Sequence, residues 1–187
     1  MRCSRCGSEH ELLEPSFLRP DAVVEMPEVQ RQSRVEENDD LCRVLMGDGD
    51  EVPRFFLRTV LPVQLLDVDD YTQWGLWVEV EEKHAHRAWE LWDSLDQDQE
   101  PPFPGFVANQ VAGYPNTIGL PVEIQLTGPT TRPRSSFSKE LEHPFVQECR
   151  AGVNTPRVLE WLAGRGCESR EAVEQGDGRV GDRRGTP

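Results

Sequence analysis

The stretch "WGLWVEVEEKHAHRAWELWDSL", residues 74–95, decides the fold that this sequence predicts. Its first part alternates with a period of two, which places one apolar set on a single face of a strand. That set is Trp74, Leu76, Val78 and Val80. From residue 81 the apolar spacing changes to three and four, which is typical of a helix with one apolar stripe. The stripe consists of Ala85, Ala88, Trp89, Trp92 and Leu95. A strand followed directly by such a helix predicts a helix packed against a sheet.

Short apolar segments on both sides of this stretch predict the rest of the sheet. Upstream are "LCRVLM" (41–46) and "RFFLRTVLPVQLL" (54–66), separated by turn-forming residues. Downstream are "VEIQLT" (122–127) and "RPRSSF" (132–137). This spacing favours antiparallel strands joined by hairpins. Pro62 should lie at a break or at an edge of the sheet, because proline donates no ladder hydrogen bond.

The predicted architecture is therefore α+β, with a mostly antiparallel sheet packed against one main helix. Two short C-terminal helices are expected at 143–152 and 155–166, the second with Thr155 as its N-cap. An N-terminal zinc-knuckle-like turn is expected at 3–10. Residues 1–166 are predicted to form a single domain. The polar, aperiodic residues 167–187 are predicted to form a disordered tail.

The charge distribution restricts the possible partners. The chain of 187 residues carries a net charge of −14. Residues 36–100 hold 18 Asp and Glu against 5 Lys and Arg. Such a field repels phosphates and attracts cations, so it favours a basic protein partner over a nucleic acid. The alternative is an ordinary solvated surface that keeps the protein soluble. No apolar run approaches the roughly 20 residues that cross a membrane. The N-terminus has no stretch like a secretory signal, so we expect a cytoplasmic protein. The oligomeric state is left open.

The motif "CSRCGSEH", residues 3–10, predicts a zinc site. Two cysteines three apart turn the chain around a metal ion, and the glycine permits that turn. Structural zinc takes four ligands, and Cys3 and Cys6 supply two of them. His10 and Cys42 are predicted to complete the set. His143 and Cys149 are alternatives for the fourth ligand. A redox dithiol and free cysteines without a role are alternatives to zinc.

Other side chains are weaker candidates for function. Asp39 and Asp40 precede Cys42 and are either carboxylates beside a metal site or a solvated strand entrance. Trp77 and Tyr114 either mark a binding face or are ordinary exposed aromatics. "GDGDE", residues 47–51, resembles the start of a calcium loop but lacks the later ligands, which favours a turn.

Several fragments together resemble a bacterial family. They are "CSRCGSEH", "NDDLC", "FFLRTVLPV", "WGLWVEV" with "ELW", "PPFPGF", "GYPNT", "RP" and "EHPF", in this order from residue 3 to about residue 160. The set is similar to the uncharacterised bacterial family called domain of unknown function 2199. The resemblance implies no established activity.

Two functions follow from these features. In the first, zinc is structural and the acidic middle binds a basic protein, as an immunity or regulatory protein does. The alternative is a metal-dependent hydrolase that uses a zinc site near Cys3, Cys6 and His10, with Asp40 as the base. The sequence has no His-Glu-x-x-His, no Gly-x-Ser-x-Gly and no phosphate-binding glycine loop, so it favours the binding module.

Overall fold

A computed structural model describes residues 14–47 and 52–163. Most of the described regular structure is strand. The strands are β1 (Val35–Glu37), β2 (Leu41–Met46), β3 (Val52–Gln64), β4 (Tyr71–Val80), β5 (Phe103–Val107), β6 (Pro121–Gln125) and β7 (Arg134–Phe137). The helices are α1 (Asp21–Val24), α2 (Glu28–Arg34), α3 (Glu82–Glu90), α4 (Pro144–Ala151) and α5 (Thr155–Ala163), with a 3-10 turn at Gln97–Gln99.

The strands form one sheet in which spatial order equals sequence order, from β1 to β7. All successive pairings are antiparallel, and the longest is the β3–β4 hairpin, in register from Phe55 opposite Val80 to Gln64 opposite Tyr71. The sheet then closes on itself, because β7 also pairs with β3 in parallel at Val60 and Arg134. Strands β3 to β7 therefore form a five-stranded barrel, and β1 and β2 extend the sheet beyond β3.

The barrel encloses two adjoining apolar clusters. One cluster contains Leu57, Val78, Phe103 and Ile124, and the other contains Leu61, Trp74, Leu76 and Phe145. The predicted apolar face of β4 thus lines the interior, as the alternation indicates. Gly105 leaves room for side chains of the two neighbouring strands, because a Cβ there would lie 2.6 Å from Val78 Cγ1 of β4 and 2.8 Å from Ile124 Cδ1 of β6.

The prediction of a sheet packed against one main helix is wrong. Helix α3 ends at Glu90 and buries only Ala85 and Ala88. Trp89 is 62% exposed and Leu95 is 83% exposed, so the predicted stripe does not continue into the core. The physical reason is the barrel itself: its strands fill the interior with their own side chains, which leaves α3 only a small contact area.

Residues 14–34 cover the outer face of β2, β3 and β4. A third cluster lies there, with Val23, Cys42, Phe56 and Trp77 among its members. Trp77 is only 1% exposed, so it does not mark an exposed face. Ser16 bridges to Gly75, where a Cβ would lie 2.7 Å from the Ser16 Cβ. Glycine at this position therefore permits the N-terminal segment to lie against β4.

The C-terminal helices lie close to the predicted ranges. Thr155 is the first residue of α5, and its N–H donates to both oxygens of the Asp67 carboxylate at 3.0 and 3.1 Å. Asp67, and not Thr155, thus supplies the capping acceptor. Pro62 lies in β3, paired with Gln73 of β4. None of the described helices is long and apolar enough to span a membrane.

The predicted zinc-knuckle-like turn at 3–10 lies outside the described residues. The same is true of residues 48–51 of the acidic turn and of the predicted tail at 167–187.

Candidate interaction surface

The described members of the predicted zinc site lie in different parts of the fold. Cys42 packs against Phe56 and Trp77 on the outer face of the sheet, whereas Cys149 packs in the interior cluster with Trp74. Because Trp74 and Trp77 point to opposite faces of β4, the two thiols lie on opposite sides of the sheet. One metal ion therefore cannot bind both in this fold.

Cys42 is 3% exposed and sits among apolar side chains. Burial, followed by the nearby Glu37 carboxylate, raises the pKa of its thiol to about 12. Zinc binds the thiolate, so a metal at this position must overcome that preference for the thiol. Since Cys3, Cys6 and His10 lie outside the described residues, the zinc set that includes Cys42 stays a prediction.

His143 is 9% exposed and caps α4, since its Nδ1 accepts a hydrogen bond from the Phe145 N–H at 3.2 Å. Its Nε2 is buried without a hydrogen-bond partner. Among the residues that the structure describes, no group of three or more His, Cys, Asp or Glu side chains is placed to hold a metal ion.

In the acidic segment, residues 36–100, the glutamates and the aspartates differ in their ion pairing. Its glutamates pair with basic side chains, for example Glu79 with Arg54 at 2.5 Å and Glu100 with Arg87 at 2.8 Å. Among its described aspartates, by contrast, only Asp40 forms an ion pair within the described part of the chain. The other aspartates are Asp39, Asp67, Asp69, Asp70, Asp93, Asp96 and Asp98. The unneutralised charge of this segment is therefore carried by aspartates in turns and loops.

Two of these aspartates lie at an open cavity of about 390 Å³. Its described lining is Asn38, Asp39, Asp40 and Trp92. The turn between β1 and β2 is fixed by Asn38, whose Oδ1 accepts hydrogen bonds from the N–H groups of Asp40 at 2.9 Å and Leu41 at 2.8 Å. This turn holds Asp39 at its exposed tip, facing the same cavity as Trp92. The carboxylate of Asp39 has no hydrogen bond or ion pair within residues 14–47 and 52–163.

The end of α3 and the segment that follows it carry further exposed apolar and acidic side chains. Trp89 and Leu95 are largely exposed. Trp92, which lies between them in sequence, is half-buried. Asp93, Asp96 and Asp98 alternate with these apolar residues and are exposed. We call this set, with Asn38, Asp39 and Asp40, the Trp92 surface. The helical spacing predicted that Trp89 and Trp92 face the core. The aspartates interleaved with them were the available signal that this segment faces solvent.

Asp40 forms an ion pair with Arg132, which is remote from it in sequence. Its carboxylate accepts a hydrogen bond from Arg132 Nε at 2.5 Å. Arg58 lies beside both aspartates, and its main-chain N–H donates to the Asp40 carbonyl at 2.8 Å. No local sequence pattern indicates this grouping, because Arg132 reaches Asp40 only through closure of the barrel.

A second cavity, of about 430 Å³, lies beside α4 and α5. Arg157 there donates to both oxygens of Glu148, at 2.5 and 3.1 Å, and to Glu160 at 2.6 Å. Tyr114 donates its hydroxyl proton to Glu148 and accepts from Trp161 Nε1 at 2.9 Å. Burial, and then the hydrogen bond to Glu148, raises the pKa of Tyr114 to about 12. These hydrogen bonds join the two helices to the loop that carries Tyr114.

Comparisons with known proteins give a family and no function. A family model described as an uncharacterized protein conserved in bacteria (DUF2199) matches residues 2–153. This match confirms the resemblance found in the sequence fragments. No curated protein matches the chain, and no solved structure matches it.

Proposed function

This chain belongs to the bacterial DUF2199 family, and we propose that it is a binding module whose Trp92 surface receives a basic segment of a partner protein. The observation that carries the proposal is the cavity of about 390 Å³ that Trp92 and Asp39 both line, with an Asp39 carboxylate that forms no ion pair within the described residues. A lysine or arginine side chain can lay its stem on the indole and place its charge beside the carboxylate. A cation over a tryptophan ring contributes on the order of 0.5–2 kcal/mol.

The surroundings of the cavity support a protein partner over a small ion. Trp89 and Leu95, each close to Trp92 in sequence, add exposed apolar area, and aromatic residues are enriched at protein interfaces. The exposed Asp93, Asp96 and Asp98 surround them with negative charge. Such charge accelerates association with a cationic partner and makes the association sensitive to salt. This is the behaviour of an immunity or regulatory protein that covers a basic surface.

The proposal retains a structural zinc site at Cys3, Cys6 and His10, with Cys42 as the fourth ligand. The Cys42 thiol would have to be deprotonated for this role, and burial, which raises its pKa to about 12, makes that costly. Zinc would attach the N-terminal residues to β2, close to the segment that covers Trp77.

No specific observation in the described residues favours the hydrolase alternative. Its proposed base, Asp40, already binds Arg132 at 2.5 Å. We therefore develop only the binding function.

Binding can be tested with a fluorescently labelled oligo-lysine peptide and anisotropy measurements at low and physiological salt. We expect Trp92→Ala, and the double variant Asp39→Asn with Asp93→Asn, to weaken binding at both salt concentrations. The matched control is Asp69→Asn with Glu123→Gln, which removes the same charge from exposed positions away from the cavity. If this control weakens binding as much as the Asp39 and Asp93 pair, the peptide responds only to net charge and the proposed surface is wrong.

Zinc can be tested separately by elemental analysis of the purified protein. We expect about one zinc per chain, and we expect Cys3→Ser and Cys6→Ser to lose it. The assignment of the fourth ligand is checked by Cys42→Ser, which should also lose the metal. Retention of zinc in Cys42→Ser would show that this thiol only packs, and it would leave the peptide-binding proposal unaffected.

A further inference from the structure

We propose that Arg58 and Arg132 together form a binding site for a carboxylate group, and we call this pair the arginine fork. Along one edge, β3 pairs first with β2 and then with β7, and the fork lies where this change occurs. The Arg58 N–H donates to the Asp40 carbonyl at 2.8 Å, at the end of β2. Two residues later the Val60 N–H donates to the Pro133 carbonyl at 2.9 Å, just before β7. The chain thereby brings residues 58 and 132 side by side.

The guanidinium of Arg58 is poorly satisfied by the protein. Its Nη1 donates to the Asp39 carbonyl at 3.4 Å, which is long for a hydrogen bond. Its Nε is buried and has no hydrogen-bond partner among residues 14–47 and 52–163. Within the described residues no carboxylate forms an ion pair with this half-buried cation, although arginine offers five N–H donors. A charged group in this state gains more from an added acceptor than a solvated surface arginine does.

Arg132 leaves its terminal nitrogens available. Its Nε is used by Asp40 at 2.5 Å, which fixes the side chain, whose exposed fraction is 40%. In the described part of the chain its Nη1 and Nη2 have no other ion pair. Asp40 therefore orients Arg132 without using its full capacity. Two neighbouring guanidinium groups with unused terminal donors suit an acceptor that carries two oxygens.

The charges around the fork select the class of anion. The Arg58 pKa is lowered by burial and then by the positive charge of Arg132, so a negative group between them relieves both effects. Asp39 and Asp40 lie beside the fork, and the whole chain carries a charge of −14. These charges repel a phosphate dianion more strongly than a carboxylate monoanion. The fork thus fits a single carboxylate, such as an acidic side chain or a chain terminus.

This inference does not depend on the proposed function, because the anion is bound by the two guanidinium groups, whereas the cation is bound by Trp92 and Asp39. The Trp92 surface uses Asp39 to attract a cation, whereas the same Asp39 charge opposes an anion at the fork. Asp39→Asn should therefore weaken oligo-lysine binding and strengthen carboxylate binding. Opposite responses of one variant separate the failure of one proposal from the failure of the other.

The test is a titration of the intact chain with sodium acetate at constant ionic strength, followed by NMR of the arginine Nε–Hε signals. We expect the signals of Arg58 and Arg132 to shift and saturate, with a Kd on the order of millimolar. Sodium phosphate at the same ionic strength should bind more weakly. Arg58→Lys and Arg132→Gln should each weaken acetate binding by roughly tenfold, which corresponds to about one charge-assisted hydrogen bond. Asp39→Asn should tighten it about threefold.

The matched control is Arg43→Gln, which removes an exposed arginine already paired with Glu36 at 3.1 Å. This variant should bind acetate as the unaltered chain does. Using both Arg58→Lys and Arg132→Gln keeps the test valid if one of them unfolds, and circular dichroism reports that. Shifts that rise linearly without saturation, or an acetate affinity unchanged in both arginine variants, would overturn the proposal. Tighter binding of phosphate than of acetate would overturn the choice of a carboxylate.

Discussion

Replacing Asn109 by alanine should weaken the attachment of residues 14–34, which cover the apolar cluster on the outer face of the sheet. The Asn109 side chain is fully buried and makes hydrogen bonds in three directions. Its Oδ1 accepts from the Trp77 N–H at 2.8 Å, so the side chain continues the pairing of β4 where β5 has ended. Its Nδ2 donates at 2.9 Å to the Arg19 carbonyl and at 2.9 Å to the Asp21 carboxylate. One side chain therefore attaches the N-terminal segment to the barrel.

The magnitude follows from these three bonds. Each neutral hydrogen bond contributes about 1 kcal/mol and the bond to a carboxylate about 1.5–3 kcal/mol. Alanine also leaves the Trp77 N–H buried without an acceptor. We expect the free energy of unfolding to fall by about 3–5 kcal/mol, against total stabilities of about 5–15 kcal/mol for domains of ordinary size.

Urea unfolding followed by tryptophan fluorescence measures this loss, and chymotrypsin cleavage after Phe17 reports detachment of the segment. The control is Asn116→Ala, because exposed Asn116 accepts only one bond, from the Ile118 N–H at 3.2 Å. We expect the control to lose about 0.5–1 kcal/mol. If Asn109→Ala loses no more than Asn116→Ala, and the bond after Phe17 remains protected from chymotrypsin, then the side chain does not anchor the segment and the reasoning is refuted.

Three further predictions concern Gly105, Glu148 and Cys42. Gly105→Ala should lower the free energy of unfolding by about 1–3 kcal/mol, because the added methyl group would meet Val78 and Ile124. Urea unfolding measures this loss, and the control is Ser136→Ala on the exposed face of β7. Burial acts to raise the pKa of Glu148, but hydrogen bonds from Arg157 and Tyr114 outweigh it and hold that pKa below its ordinary value. The stability that Glu148 contributes is therefore present above its unfolded pKa of about 4.3 and is lost as the pH falls through the lower folded value. Thermal melts between about pH 6 and pH 3 should show this loss, and Arg157→Gln should show a smaller one; an identical pH dependence would contradict the assignment. Cys42→Ser should cost about 1–3 kcal/mol, because a hydroxyl would replace the thiol in an apolar cluster. With a pKa near 12, Cys42 should also react with a thiol reagent at neutral pH only at the rate of unfolding, and fast reaction of the folded protein would contradict its burial.

The parts of the fold that depend on local periodicity could be predicted from the sequence. The alternation of Trp74, Leu76, Val78 and Val80 identified the inward face of β4, and Pro156 indicated the start of α5. These signals lie within one element, where side-chain direction follows directly from the backbone repeat.

The parts that depend on distant contacts could not be predicted. Trp77 lies on the face of β4 opposite the barrel interior, and residues 14–34 help to bury that face. Trp89 and Leu95 fit a helical stripe, yet closure of β7 on β3 leaves no sheet face for them to cover. Arg58 and Arg132 carry no motif at all, since their proximity results from the same closure. The candidate surface therefore came from the structure, with Asp39 and Asp40 as its only members noted in advance.

The closure between β3 and β7 also sets the order in which the molecule assembles. Thr59 and Ser135, which hydrogen-bond across it at 3.1 Å, are 76 positions apart in the chain, whereas the β3–β4 hairpin joins strands that follow one another. Contacts between remote segments have the larger loop entropy to overcome, so the hairpin should form early and the final joining late. Because that joining uses few backbone bonds, its amides should exchange with deuterium sooner than those of the hairpin. The arginine fork would then exist only in the last-formed state of the protein.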